Sequence, residues 1–214
     1  HRPDDAGESV YVLETLVTTP MIAAIAESYG VRVVSDLPVG FKHIAAAMEQ
    51  HGPEKLIFAA EESLGYLAGS YCRDKDAALA ALWCLELAAE LKSQGRSLYD
   101  RLIELYRQHG WHRESQTSHT CPGPSGAARI SAMIQRFRES PPTRLGEAKL
   151  HRIRDYGRQE VRMMPGHHVA DKLSVHAGDL LFADVTLDGV TGQVALRPSG
   201  TEPKIKRTSA LWKP

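Results

Sequence analysis

Residues 17–44 read "VTTPMIAAIAESYGVRVVSDLPVGFKHI", a helix-length segment followed by a short β-branched run and then a second helix. Thr19 can cap the first helix, and Pro20 suits its first position because the missing N–H would have no helical partner there anyway. MIAAIAESYG then closes at Gly30, a residue free to take the left-handed conformation at a helix end. VRVVSDL follows as a strand and Phe41–Gln50 as a helix, which His51-Gly52-Pro53 breaks. Upstream, Ser9–Val17 alternates and is β-branched enough to be a strand. Downstream, Lys55–Ala60 is a short buried strand and Asp76–Lys92 a long helix rich in Ala and Leu. Ser97 caps a further helix through His109, with Asp100 in the first turn, where the helix dipole favours negative charge. Strands alternating with helices argue for a layered α/β fold with a mostly parallel sheet.

The pattern changes after Gly110. "WHRESQTSHTCPGPSG" is polar and turn-rich and reads as a loop; a helix over Ala127–Arg138 follows, and "ESPPTRLGEAK" reads as a linker. From Leu150 the segments LHRIRDY, QEVRMM, DLLFADVTLDG and TGQVALRP read as strands, and Asp188-Gly189 between two of them is a hairpin signal. The expected organisation is an α/β domain over residues 1–140, ending in a helical linker, and a smaller α+β domain over 148–214. No internal repeat is evident.

The 214 residues balance 26 basic against 26 acidic side chains, so net charge implies no polyanion-binding surface and nucleic acid is not an expected partner. Cys72, Cys84 and Cys121 show no CxxC spacing and read as free thiols in a reducing compartment, which points to the cytoplasm. His167-His168 and His109-Gly-Trp-His112 lack the i, i+4 spacing of a helical zinc motif, so no metal ligands are assigned. No apolar run reaches membrane-spanning length. The chain begins at His1, and the expectation is a partial or processed product.

Two segments carry chemistry. In "ALRPSGTEPKIK", residues 195–206, Arg197 offers a planar fork of donors and Ser199 and Thr201 offer hydroxyls, while Gly200 lets backbone N–H groups turn toward one point. That composition suits an oxyanion such as phosphate; it also suits a surface turn whose hydroxyls bond locally. In "AEESLGYLAGSYCRDKD", Glu61, Glu62 and Ser63 follow a strand at its C-terminal edge, where α/β folds place ligands. Paired carboxylates accept well from sugar hydroxyls, and they equally suit a helix N-terminus. The acids of RDKD have that second use before the long helix. Lys75 is mildly unfavourable there, and near a bound phosphate it could hold charge or move a proton.

The set "GFK", "EES", "RDKD" and "RPSGTEPKIK", in that order, resembles the α-D-phosphohexomutase superfamily, the phosphoglucomutase and phosphomannomutase group, over nearly the whole chain. The resemblance implies the third and fourth of four family domains, with the N-terminal domains of the same enzyme as missing partners. It implies sugar contacts from Glu61 and Ser63, with Gly40 and Lys42 of the GFK loop lining the same site. It implies phosphate binding by Arg197, Ser199, Gly200, Thr201 and Lys206, and proton transfer assisted by Lys75. The implied reaction interconverts hexose 1-phosphate and 6-phosphate through an enzyme phosphoserine and a bisphosphate intermediate. The implied cofactors are Mg²⁺, whose loop is not matched in this chain, and glucose 1,6-bisphosphate. Phosphopentomutase-type specificity and a non-catalytic sugar-phosphate-binding module are the alternatives.

Val39 stands where the family has Thr, and Ala77 where Gly is common. "TSHT", residues 117–120, superficially resembles the phosphoserine loop but lacks the following Asn-Pro, so Ser118 is not assigned as catalytic. After Lys206, "RTSALWKP" matches nothing in the family and suggests a truncated last domain. With phosphoserine and metal loops absent, the isolated chain is expected to lack turnover.

Overall fold

Parallel pairing organises the first part of the chain, as the strand–helix alternation requires. The computed structural model describes residues 10–199 and 202–213. Contacts divide the chain into two compact units, His1–Trp111 and His112–Pro214. In the first unit the elements run β1 (Tyr11–Thr15), α1 (Met21–Ser28), β2 (Arg32–Leu37), α2 (Phe41–His51), β3 (Leu56–Glu61), β4 (Gly65–Leu67), α3 (Ala77–Ser93) and α4 (Leu98–His109). The four-stranded sheet has the order β2-β1-β3-β4. Its central strand β1 is parallel to both β2 and β3, and β4 returns antiparallel beside β3.

All five residues of β1 are buried. Tyr11 and Leu13 pack with Ile44 and Met48 of α2 and with Ala59 and Leu67 to form the core. The Tyr11 hydroxyl is not wasted there; it donates to the Gly52 carbonyl at 3.0 Å. Helix ends follow the local chemistry. Gly30 takes φ 69 just past α1. Asp76 caps α3 by accepting from the N–H groups of Ala78 and Leu79 at 2.8 and 3.2 Å. Ser97 and Asp100 form a reciprocal capping box at α4.

The second unit is antiparallel. It comprises β5 (Trp111–Thr120), α5 (Gly126–Glu139), β6 (Arg144–Leu145), β7 (Ala148–Asp155), β8 (Glu160–Met163), β9 (Val169–Lys172), β10 (Leu181–Leu187), β11 (Val190–Pro198) and β12 (Lys204–Lys213). Its sheet runs β5-β12-β11-β10-β7-β8-β9, with β6 beside β7. Asp188 and Gly189 both have positive φ, 49 and 78, as a two-residue hairpin turn of the primed type requires. Ile134 of α5 packs on Leu150, Ile153, Leu181 and Val185.

The fold class is the expected one, an α/β unit followed by an α+β unit, but three local expectations change. The contacts divide the chain at Trp111/His112 rather than near 140–148, because β5 pairs with β12 and α5 lies against β11 and β12. The supposed loop from Trp111 is largely the ten-residue strand β5, which carries Ser118. It sits at the sheet edge with nearly all its side chains exposed, so it needs no apolar alternation. "RTSALWKP" is likewise not a stray tail. Through Lys213 it continues β12, paired with β11 from Pro198↔Ile205 to Thr191↔Trp212.

Candidate functional site

The first-unit site begins where β3 ends. Glu61, its last residue, is only 4% exposed although it is an acid at a strand end. Burial of a carboxylate requires a partner. Lys75 supplies it, donating from Nζ to Glu61 Oε1 at 2.7 Å. The Lys75 ammonium also lies over the Phe41 ring, 5.6 Å from its centroid, a cation–π distance. Thus one side chain of the RDKD loop touches both the EES loop and the GFK loop. The hydrogen bond to Glu61 is the main reason that the Lys75 pKa lies above the ordinary lysine value, against a smaller opposing effect of burial. Lys75 is therefore a fixed cation near neutral pH, suited to holding charge.

The surrounding loop is braced independently. Lys75 N–H donates to Asp74 Oδ1 at 2.8 Å, and Tyr71 OH donates to Asp76. Arg73 pairs with Glu49 of α2. Gly40 precedes α2 with φ 121 and ψ 132, backbone that favours glycine. Lys42 is exposed on the first turn of α2. Burial, and then the Lys42 charge, lower the His43 pKa. Ser63 is exposed, its hydroxyl donating to Glu62 Oε1 at 3.1 Å.

In the second unit, Arg197 near the end of β11 stands directly opposite Lys206 of β12 in the antiparallel register, so the two cations lie side by side on one sheet face. The hairpin tip is closed by Ser199 N–H donating to the Lys204 carbonyl at 2.8 Å and by an ion pair between Lys204 and Glu202. The hydrogen bond from Lys204 lowers the Glu202 pKa. Gly200 and Thr201 lie outside the described residues. Cys121 N–H donates to the Pro203 carbonyl at 2.8 Å, tying the segment before α5 to this tip.

Of the residues singled out in the sequence, the structure brings Glu61 and Lys75 together and sets Arg197 beside Lys206. Ser63 does not join the Glu61–Lys75 pair. Phe41 was not singled out, although it is the middle residue of GFK. Among the described residues no three His, Cys, Asp or Glu side chains converge to hold a metal ion. Asp184 is engaged by Arg152 and Arg154 instead, at 2.5 and 2.8 Å. Cys72, Cys84 and Cys121 are free thiols. No helix among the described residues is long and apolar enough to cross a membrane.

Residues 3–109, half of the chain, match the family model described as phosphoglucomutase/phosphomannomutase, alpha/beta/alpha domain III. A phosphoglucomutase of Staphylococcus aureus strain USA300 is 34% identical over 197 residues, covering 91% of this chain and 34% of that protein. The phosphoglucomutase of Staphylococcus haemolyticus strain JCSC1435 is 32% identical, covering 91% of this chain and 35% of its own length. The chain therefore spans about a third of the length of the curated relatives it matches. Among solved structures, parafusin, a phosphoglucomutase from Paramecium in its open form, aligns with a TM-score of 0.56 at 16% identity. That alignment covers 95% of this chain and 33% of that one, a likeness of fold.

Proposed function

The chain belongs to the phosphoglucomutase/phosphomannomutase family, and we propose on that basis that it binds a hexose phosphate as part of a mutase interconverting the 1- and 6-phosphates. The observation that carries the reading is Lys75, which joins Glu61 and Phe41 and so gathers three loops around one buried carboxylate. Glu61 and Ser63, with Gly40 and Lys42 beside them, take the sugar hydroxyls; Arg197, Lys206 and the turn of Ser199, Gly200 and Thr201 take the phosphate.

A mutase must hold its sugar phosphate in two flipped orientations, so its phosphate grip has to be remote from the transferring centre. Binding at that remote end can then lower the barrier to transfer. Arg197 supplies a planar fork of donors matched to phosphate oxygens, and Lys206 adds a second cation. Lys75, fixed by Glu61, contributes a cation and keeps the carboxylate oriented toward hydroxyl donors. Phosphoryl transfer through a phosphoserine, a bisphosphate intermediate and Mg²⁺ falls outside what these residues do. The described residues offer no donor set that fits the metal.

Calorimetric titration of the 214-residue chain with glucose 1-phosphate tests this. Arg197→Ala is expected to weaken affinity by about 1.5–3 kcal/mol, the scale of a hydrogen bond to a charged group. Equal affinity in the variant would remove the phosphate grip from the second unit.

A further inference from the structure

Gly65 is the first residue of β4 and stands directly opposite Glu61 in the antiparallel register of β3 and β4. Its backbone is not among those with positive φ, so nothing about its conformation demands glycine. Space does. A Cβ on Gly65 would lie 2.6 Å from Glu61 Cγ and 2.8 Å from Glu61 Oε1, closer than real Cβ atoms approach their neighbours. Oε1 is the same atom that accepts from Lys75 at 2.7 Å. The Glu61 side chain is 3% exposed, so a carboxylate pushed by the new Cβ has no open space to move into and has to leave its present place against Lys75.

We propose that Gly65 is a positioning residue for Glu61: the side chain it lacks is the slot in which the Glu61 carboxylate lies against Lys75. Only the consequence for ligand affinity rests on the reading of Glu61 as a sugar contact. The positioning is read out without ligand. At this position any side chain, however small, displaces the carboxylate and separates it from the ammonium.

The test uses the 214-residue chain with its lysine side chains followed by NMR across alkaline pH. Glu61→Gln replaces the charge-assisted hydrogen bond that chiefly raises the Lys75 titration by a neutral one and removes the Glu61 charge, so the titration moves down toward the ordinary lysine value. Gly65→Ala changes no charge, yet it is expected to move the Lys75 titration in the same direction, and Gly65→Ala added to Glu61→Gln should move it little further. A Lys75 titration unchanged in Gly65→Ala overturns the proposal. If Gly65→Ala alone does not fold, the pair Glu61→Ala with Gly65→Ala decides, because the atoms the new Cβ would strike are gone. That double variant is expected to melt where Glu61→Ala does, and a chain as disrupted as Gly65→Ala alone overturns the proposal. Glucose 1-phosphate affinity in Gly65→Ala should fall as far as in Glu61→Gln. A shifted Lys75 titration with affinity retained supports the positioning and counts against Glu61 as a sugar contact.

Discussion

Asp155→Ala is expected to destabilise the second unit by about 3–5 kcal/mol, the cost of leaving a buried ion pair with one partner. Asp155, at the end of β7, is 0% exposed. It accepts from Arg138 Nε at 2.7 Å and from the N–H groups of Gly157 and Arg158 at 3.1 and 3.0 Å. Arg162 Nη2 stands 3.9 Å from Asp155 Oδ2, the oxygen that accepts from Arg138 Nε, while Arg162 Nη1 donates to the Arg138 carbonyl at 2.7 Å. One carboxylate thus ties α5, β7, β8 and the following turn together. Burial works against the charge on Arg138, and the hydrogen bonds to Asp155 and Asp179 overcome it to hold its pKa above the ordinary arginine value. Truncating Asp155 leaves Arg138 with Asp179, which is half exposed and a poor substitute. Urea unfolding followed by amide exchange in β7 and β10 measures the loss. Replacing Arg138 and Asp155 together by Met and Leu should cost much less, since no charge is then stranded. A loss below about 1 kcal/mol for Asp155→Ala would place the network outside the folding core.

The first unit is expected to lose stability as pH rises from about 5 to 8, and Glu14 is the reason. Glu14 lies in the central strand β1, 3% exposed, and no hydrogen bond reaches its Oε2 among the described residues. Burial first, and then the nearby Glu27 charge, push its pKa from 4.5 up to about 8. Between those values the folded chain keeps a proton that the unfolded chain releases, so the slope of stability against pH is negative. The contribution is fully present below 4.5 and is lost as pH climbs through the window to about 8. Each unit of that window removes up to about 1.4 kcal/mol. Glu14→Gln keeps the shape and removes the titration. Its unfolding free energy, measured by denaturant at pH 5 and pH 8, should fall much less than that of the parent chain. Parallel curves for the two proteins would assign the pH dependence to other groups.

The parallel core of the first unit was legible because its punctuation is conformational: Gly30 in the left-handed region, Ser97 as a cap, and β-branched runs between helices. β5 was not, because an edge strand that exposes Arg113, Glu114 and Gln116 carries no apolar alternation to read. β12 escaped for a similar reason: of its ten residues only Ala210 is fully buried, and its place is dictated by pairing with β11 rather than by its own pattern. In the candidate site, the residue types of Glu61, Lys75 and Arg197 were what drew the sequence reading to them. Their neighbours were not legible. Fourteen positions separate Glu61 from Lys75, a distance no spacing rule covers. Gly65 is invisible in sequence for a different reason, because it is required by the volume of a facing side chain rather than by a turn.

Assigned NMR spectra of the chain titrated with glucose 1-phosphate, and separately with glucose and with inorganic phosphate, probe the binding of a hexose phosphate by these residues most directly. The ester should shift the signals of Lys75 and Gly65 together with those of Arg197 and Lys206, and inorganic phosphate should shift only the second pair. An ester titration that leaves both pairs unmoved, or that saturates on residues elsewhere, would contradict it.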